Sequence, residues 1–189
     1  MPSAAIQLPK PHPITVREYL RMGETGVLDP EARTELIEGE LFDIPPIGPQ
    51  HSSRVKRFIR LFSESVGKMA IVSAQDPVLL GDFSAPQPDL ALLRWRDDFY
   101  EEAHPGPQDI ILIVEVADTT LAHDRNRKLP IYARFAVPEV WLVDVAGKHL
   151  DVYRESEDGA YTTRFRLQDL ADVGIAALPG VQLELRSLF

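Results

Sequence analysis

The spacing of hydrophobic residues predicts two helices in the first third of the chain. Residues 14–20 can open a short helix with Thr15 as its N-cap. Residues 51–66 carry apolar side chains at helical spacing, with arginines on the opposite face. Between them, residues 34–43 fit either a strand hairpin with Gly39 in its turn or a helix end that runs into a strand.

The rest of the chain has the pattern of a strand-rich core with one inserted helix. Residues 89–93 and 110–116 are apolar runs with the length of buried strands. Residues 121–135 are predicted to be helical, provided that Pro130 lies in the first turn of the regular helix, where a proline is tolerated. Residues 139–154 have the pattern of two strands joined by a turn. We therefore expect an α/β or α+β fold with a mixed sheet, N-terminal helices and C-terminal hairpin strands.

The length of 189 residues is that of one compact domain. Residues 1–13 hold four of the 16 prolines and are expected to form an arm, with residues 14–189 as a single domain. The absence of cysteine excludes a disulfide scaffold, a thiol nucleophile and thiolate zinc sites. No apolar run has the roughly 20 residues of a membrane helix, and the start does not resemble a secretory signal. The sequence therefore predicts a cytoplasmic protein without a membrane partner.

The net charge of −9 argues against a nucleic-acid-binding protein, because such proteins tend to be basic. The charges are segregated along the chain, however. Residues 51–70 carry five cations against one acid, and residues 121–134 carry four against one. Residues 89–120 carry eight acids against two cations. This asymmetry leaves room for a locally basic surface on an acidic protein.

Two carboxylates stand out because each belongs to a strongly apolar strand. A lone carboxylate is costly to bury unless it is paired or binds a cation, and this applies to Asp89 and Glu115. If their strands are neighbours, the two groups could form a hard-oxygen site of the kind that Mg²⁺ or Mn²⁺ prefers. The alternative is that Asp89 caps a turn and Glu115 pairs with an arginine. Lys128 could reach the same site from the following segment, or it could lie on a solvated helix face.

Several segments, taken together and in order, resemble a known family. They are ITVREYL, TELIEGELFDIPPIGPQHSSRV, PQPDLALL, DIILIVEVADTT and HDRNRKLPIYARFAVPEVWLVDV. This pattern resembles the Uma2 family, also called DUF820, whose members are described as endonucleases with the restriction-endonuclease-like PD-(D/E)xK fold. The resemblance covers roughly residues 14–154.

The resemblance implies roles for individual residues. Asp89 and Glu115 would be catalytic metal ligands, and the backbone carbonyl of Val116 would complete the set. The motif places a lysine two residues after the second acid, but this chain has Ala117 there. In this family the lysine is displaced to the next helix, and Lys128 occupies that place as the third catalytic residue.

Further residues match the family's pattern around these positions. Glu35 would add a carboxylate to the metal site, and Glu40 matches a second acidic position. His51 would contact a substrate phosphate or carry a proton, and Gln87 would line the site. Four arginines would hold the phosphate backbone of the substrate: Arg54, Arg57, Arg125 and Arg127.

The function implied by the resemblance is a Mg²⁺- or Mn²⁺-dependent endonuclease that acts on nucleic acid, with DNA as the expected partner. A homodimer is expected because cutting both strands usually needs two active sites, and the 139–154 hairpin could supply an edge for it. One alternative is a non-catalytic binding or scaffold protein on a nuclease-like fold, since fold does not fix function. Another is a metal-dependent hydrolase of a small phosphoester, a substrate that an acidic surface tolerates better than duplex DNA.

Overall fold

The computed structural model describes residues 10–29, 31–167 and 173–188. Most of the predicted arm, residues 1–9, lies outside the described residues. The helices and strands follow in this order: α1 (Val16–Glu24), β1 (Thr34–Ile37), β2 (Glu40–Asp43), α2 (Pro49–Val66), β3 (Ala70–Ser73), β4 (Leu90–Arg94), β5 (Ile110–Ala117), α3 (Leu121–His123), a π-helical turn (Asp124–Lys128), α4 (Leu129–Arg134), β6 (Glu139–Asp144), β7 (His149–Glu157), β8 (Ala160–Leu167), β9 (Val173–Ile175) and β10 (Leu178–Leu183).

Strands β3 to β8 form a six-stranded mixed sheet in sequence order. Strands β5 and β6 are parallel, and the other neighbouring pairs are antiparallel. Two parallel neighbouring strands need a connecting segment that crosses from one end of the sheet to the other, and residues 121–134 form this crossover between β5 and β6. This confirms the predicted mixed sheet. The proposed dimer edge at 139–154 is wrong, because β6 and β7 are interior strands and the sheet ends at β3 and β8.

Apolar layers cover both faces of this sheet. On one face, α2 packs Phe58 and Phe62 against the sheet, where Phe62 contacts the buried Trp141. On the other face, the crossover packs residues such as Tyr132 against the strands. Strand β5 lies between the layers and is buried at every residue. Glu115 on β5 is therefore a carboxylate in an apolar environment.

The two predicted helices at the start are present, and the segment at 34–43 is a hairpin. Gly39 lies in the turn between β1 and β2 with a φ of 82°, a conformation that favours glycine. A Cβ at this position would lie 2.6 Å from the Cβ of Pro13. The backbone N–H of Ala85 donates to the carbonyl of Leu36 at 2.8 Å. This bond fixes the hairpin beside the segment that leads to Asp89.

The crossover is helical, as predicted, but it contains a π-helical turn that the sequence pattern does not indicate. Pro130 lies in the first turn of α4, directly after the π-helical turn. Within the turn, the N–H of Leu129 donates to the carbonyl of Asp124. Turns of this kind occur often at functional sites. Among the helices in the described ranges, none is long and apolar enough to cross a membrane.

Candidate active site

A cavity of about 500 Å³ opens at the end of the sheet where β5 ends and α2 begins. The hairpin and the segment that follows it form one wall, and the crossover forms another. Seven polar residues of its lining form the candidate site: Glu35, His51, Gln87, Asp89, Glu115, Asp124 and Lys128. The carboxylates predicted from the sequence thus converge on one cavity.

Asp89 lies directly before β4 and is held by two contacts. Its Oδ2 accepts the backbone N–H of Val116 at 2.9 Å, and its Oδ1 lies 2.8 Å from Nε2 of His51. The antiparallel register pairs Leu90 with Val114, which places the preceding Asp89 beside Glu115. The hydrogen bond with Asp89 raises the pKa of His51, although burial acts against it. His51 thus favours the cationic form next to the carboxylate.

Lys128 reaches the carboxylates from the π-helical turn. Its Nζ lies 3.0 Å from Oε2 of Glu35 and 3.2 Å from Oε1 of Glu115, and 3.9 Å from Oδ1 of Asp124. The side chain is only 7% exposed. Burial acts to lower the pKa of Lys128, but the charges of Glu115 and Glu35 outweigh burial and raise it. The ammonium therefore stays charged in the interior.

Glu115 accepts two hydrogen bonds on the same oxygen. The hydroxyl of Tyr132 donates to Oε1 at 2.6 Å, and Nζ of Lys128 donates to it at 3.2 Å. Burial raises the pKa of Glu115 to about 8, and the nearby carboxylates of Asp124 and Asp89 act in the same direction. Lys128 opposes this rise. The site thus holds more negative charge than Lys128 alone balances.

Glu35 joins the site from strand β1. The backbone N–H of Gln87 donates to its Oε2 at 3.2 Å, and Nε2 of His123 lies 3.3 Å from its Oε1. Glu35 is 3% exposed. The hairpin therefore brings a third carboxylate to Lys128.

The side chains of three other predicted site residues make contacts away from the carboxylates of Glu35, Asp89, Glu115 and Asp124. Gln87 lines the cavity, but its side-chain amide donates to the carbonyl of Thr34 at 2.7 Å. Arg125 contacts Asp151 on β7 at 3.4 Å. Nη2 of Arg127 lies 3.5 Å from Oε2 of Glu40. The guanidinium carbon of Arg127 lies over the ring of Phe42, 5.9 Å from the ring centroid.

The two predicted arginines of α2 lie in the first half of that helix. Arg54 is half-buried and Arg57 is exposed. Arg57 lines a second groove, of about 490 Å³, together with Lys56 and Arg60. The basic face predicted for this helix is therefore a concave, cationic surface that begins at the same end of α2 as His51.

Two site residues were missed by the sequence analysis. Tyr132 was not among the candidate site residues, yet its hydroxyl donates to Glu115. It follows Lys128 by four positions, so a shared helix face was a usable signal. His123 contacts Glu35, which is 88 residues away in the chain, and no local pattern indicates such a contact.

The donor chemistry of the site fits a hard divalent cation. Magnesium is usually bound through one or two carboxylates, with water and substrate phosphate as further ligands. Asp89 and Glu115 would supply that pair, and the surplus of negative charge favours a cation. Within the ranges that the structure describes, no group of three or more His, Cys, Asp or Glu residues is arranged to hold a metal ion. The site therefore fits a divalent cation that takes only two side-chain ligands from the protein, Asp89 and Glu115.

Comparisons with known proteins agree with this fold. The fold is similar to the crystal structure of a "putative nuclease belonging to DUF820" from Anabaena variabilis ATCC 29413, with a TM-score of 0.73 and 17% sequence identity. The similarity covers 94% of this chain and 98% of that one. No curated protein matches the chain. The Uma2 family model, described as "Putative restriction endonuclease", matches residues 16–186. The match extends over most of the sequence, and the chain therefore belongs to the Uma2 family.

Proposed function

We propose that this protein is an endonuclease that uses Mg²⁺ or Mn²⁺ to hydrolyse phosphodiester bonds, with DNA as its substrate. The observation that carries the proposal is the buried Lys128 amine, within 3.2 Å of Glu35 and Glu115 in a cavity that Asp89 also lines. The family supports nuclease activity. The cation and the choice of DNA are our inference from the donor set and the basic surfaces.

Asp89 and Glu115 would hold the cation, with the backbone carbonyl of Val116 as a further ligand. A divalent cation held there would supply a bound water of lowered pKa and would offset negative charge on the phosphate. Lys128 supplies a fixed positive charge, which orients the attacking water or stabilises the charge that builds up at phosphorus. Glu35 holds the Lys128 amine at this position.

Two neighbouring residues position the ligands. Tyr132 donates to Glu115 and fixes the direction of its carboxylate. His51 contacts Asp89, with Nε2 2.8 Å from Oδ1 of that carboxylate. From this place His51 can pass a proton to a substrate oxygen or bind a phosphate as a cation.

The cationic groove of α2 supports a polymeric, negatively charged substrate. Lys56, Arg57 and Arg60 line it, and the helix begins beside the cavity. Contacts from such side chains to phosphates hold a nucleic acid in register without reading its bases. Cutting a duplex requires one site for each strand, so we expect two copies of the protein to act together.

The proposal is tested by Asp89→Asn, which removes one carboxylate charge and keeps the size of the side chain. We expect it to abolish Mg²⁺-dependent nicking of supercoiled plasmid DNA while the circular dichroism spectrum stays unchanged. Asp158→Asn is the matched control, because Asp158 is exposed in the turn between β7 and β8, away from the cavity. The control should cleave like the wild type. Equal cleavage by Asp89→Asn would refute the assignment.

One observation favours a second candidate function, a non-catalytic nucleic-acid-binding protein. Lys128 already contacts two of the carboxylates and offsets part of their charge without a cation. Titration calorimetry with MgCl₂ and MnCl₂ separates the two functions. Heat of binding that is lost in Asp89→Asn supports the nuclease. DNA binding without cation binding and without nicking supports the binding protein.

A further inference from the structure

A second charged cluster lies on the face of the sheet that the crossover covers, around Asp151 on β7. Asp151 is fully buried. Arg166 donates from Nε to its Oδ1 at 2.7 Å and from Nη2 to its Oδ2 at 3.1 Å. Arg164 donates from Nη2 to Oδ2 at 2.8 Å, and Arg125 reaches the same oxygen at 3.4 Å. One carboxylate thus holds three guanidinium groups.

This cluster has an excess of positive charge. Two carboxylates face the three arginines, because His149 Nε2 lies 3.9 Å from Asp151 Oδ2 and 3.8 Å from Asp144 Oδ2, and the charge of Asp144 also acts on Arg166. The arginines still outnumber the carboxylates. Each guanidinium has five N–H donors, of which Asp151 engages one or two. The side chains of Arg164 and Arg166 are 49% and 44% exposed. Their remaining donors are therefore available to an anion from solvent.

The register of the sheet places the cluster beside the candidate active site. Glu115 pairs with Leu142, Leu142 with Asp151, and Asp151 with Arg166, in one row across four strands. Directly opposite residues lie on the same face of a sheet, and neighbouring strands are about 4.8 Å apart. The backbone of Asp151 thus lies about 10 Å from that of Glu115, and the backbone of Arg166 about 14 Å.

The crossover connects the two places. Arg125 and Lys128 belong to the same π-helical turn, yet Arg125 contacts Asp151 while Lys128 contacts Glu115. A strand of B-DNA advances about 3.4 Å along the axis per nucleotide, so 10 to 14 Å corresponds to about three or four nucleotides.

We propose that Arg125, Arg164 and Arg166, held in place by Asp151, bind the phosphodiester backbone of the nucleic acid a few nucleotides from the bond that is cut. The proposal rests on the proposed function for the substrate class, and adds a surface on β7 and β8. The planar fork of arginine matches phosphate oxygens in a bidentate geometry. Contacts of this kind set position and contribute no reading of base sequence.

The test measures binding separately from cleavage. Fluorescence anisotropy of a short fluorescein-labelled DNA duplex is recorded in EDTA over a range of salt concentrations, with wild type and with Arg164→Gln/Arg166→Gln. Each phosphate contact contributes about 0.9 to the slope of log affinity against log salt. We therefore expect the double variant to lower the slope by about 1.8 and to weaken binding about tenfold or more.

Arg94→Gln/Arg96→Gln is the matched control, because it removes the same charge at the opposite end of β4 from Asp89. It should leave the slope unchanged. If the double variant is unfolded by circular dichroism, the single variants replace it, since each leaves two arginines on Asp151 and should lower the slope by about 0.9.

The outcomes separate this proposal from the proposed function. An unchanged slope in a folded variant, or equal loss in the control, overturns the arginine surface even if the wild type cleaves DNA. No binding of the duplex by the wild type also overturns it. If the slope of log affinity against log salt falls in the Arg164→Gln/Arg166→Gln variant and not in the control, the arginine surface is supported even if no cleavage is found. The binding measurement does not depend on catalysis.

Discussion

Lys128→Met removes the one ammonium that contacts both Glu35 and Glu115 and keeps the aliphatic part of the side chain. At an effective dielectric constant of about 20, each contact near 3 Å represents about 5 kcal/mol of Coulomb attraction before desolvation is subtracted. Breaking a buried pair by removing one partner costs about 3–5 kcal/mol, because a buried charge loses its counterion. Here the loss falls mainly on Glu35, which is 3% exposed, because Glu115, with its pKa raised to about 8, is largely protonated at pH 7. We expect the free energy of unfolding at pH 7 to fall by about 3–5 kcal/mol.

Urea unfolding, followed by the fluorescence of the fully buried Trp141, measures this change. Lys68→Met, at an exposed lysine, is the control and should stay within about 0.5 kcal/mol of the wild type. Adding Glu35→Gln to Lys128→Met removes the carboxylate charge that has lost its counterion, so the double variant should be more stable than Lys128→Met alone. A loss below about 1 kcal/mol in Lys128→Met would refute the argument, because a change that small is typical of a surface position.

Two further predictions concern residues that hold the carboxylates. Tyr132→Phe keeps the ring and removes the 2.6 Å bond to Glu115, so unfolding in urea should be easier by about 1.5–3 kcal/mol; an unchanged midpoint would contradict the contact. The pKa of His51 is raised above 6.5 in the folded protein by the hydrogen bond with Asp89, so its stabilising effect is complete below pH 6.5 and is lost as the pH rises through the raised pKa. The stability gap between wild type and His51→Asn, measured by urea unfolding, should therefore be larger at about pH 6 than at about pH 9. An equal gap at both values would argue against the pair, and His104→Asn, at an exposed histidine, should show no such difference.

The sequence was sufficient to predict the elements that bring the carboxylates together. The apolar runs predicted β4 and β5, and the antiparallel pairing of these strands places Asp89 beside Glu115. The position of Lys128 was expected from the family resemblance, and its contacts with Glu35 and Glu115 are seen in the structure. The catalytic roles of these residues stay predictions.

Contacts between distant parts of the chain were not predictable from local patterns. Arg125 was expected to face substrate, but its contact with Asp151 depends on strand register, which residue types alone do not determine. The amide of Gln87 binds the backbone of Thr34, 53 residues earlier. The π-helical turn was also missed, because composition and spacing there are those of an ordinary helix.

That turn determines the rotational relation between α3 and α4. In a regular α-helix each residue advances by about 100° around the axis, and a turn closed by an i to i+5 hydrogen bond accommodates one residue more than a regular turn. If the same residues formed a regular α-helix, the following side chains would be rotated by about 100° relative to α3. The amine of Lys128 and the hydroxyl of Tyr132 would then leave Glu115 together. The wide turn is therefore as important to the site as the identity of its lysine.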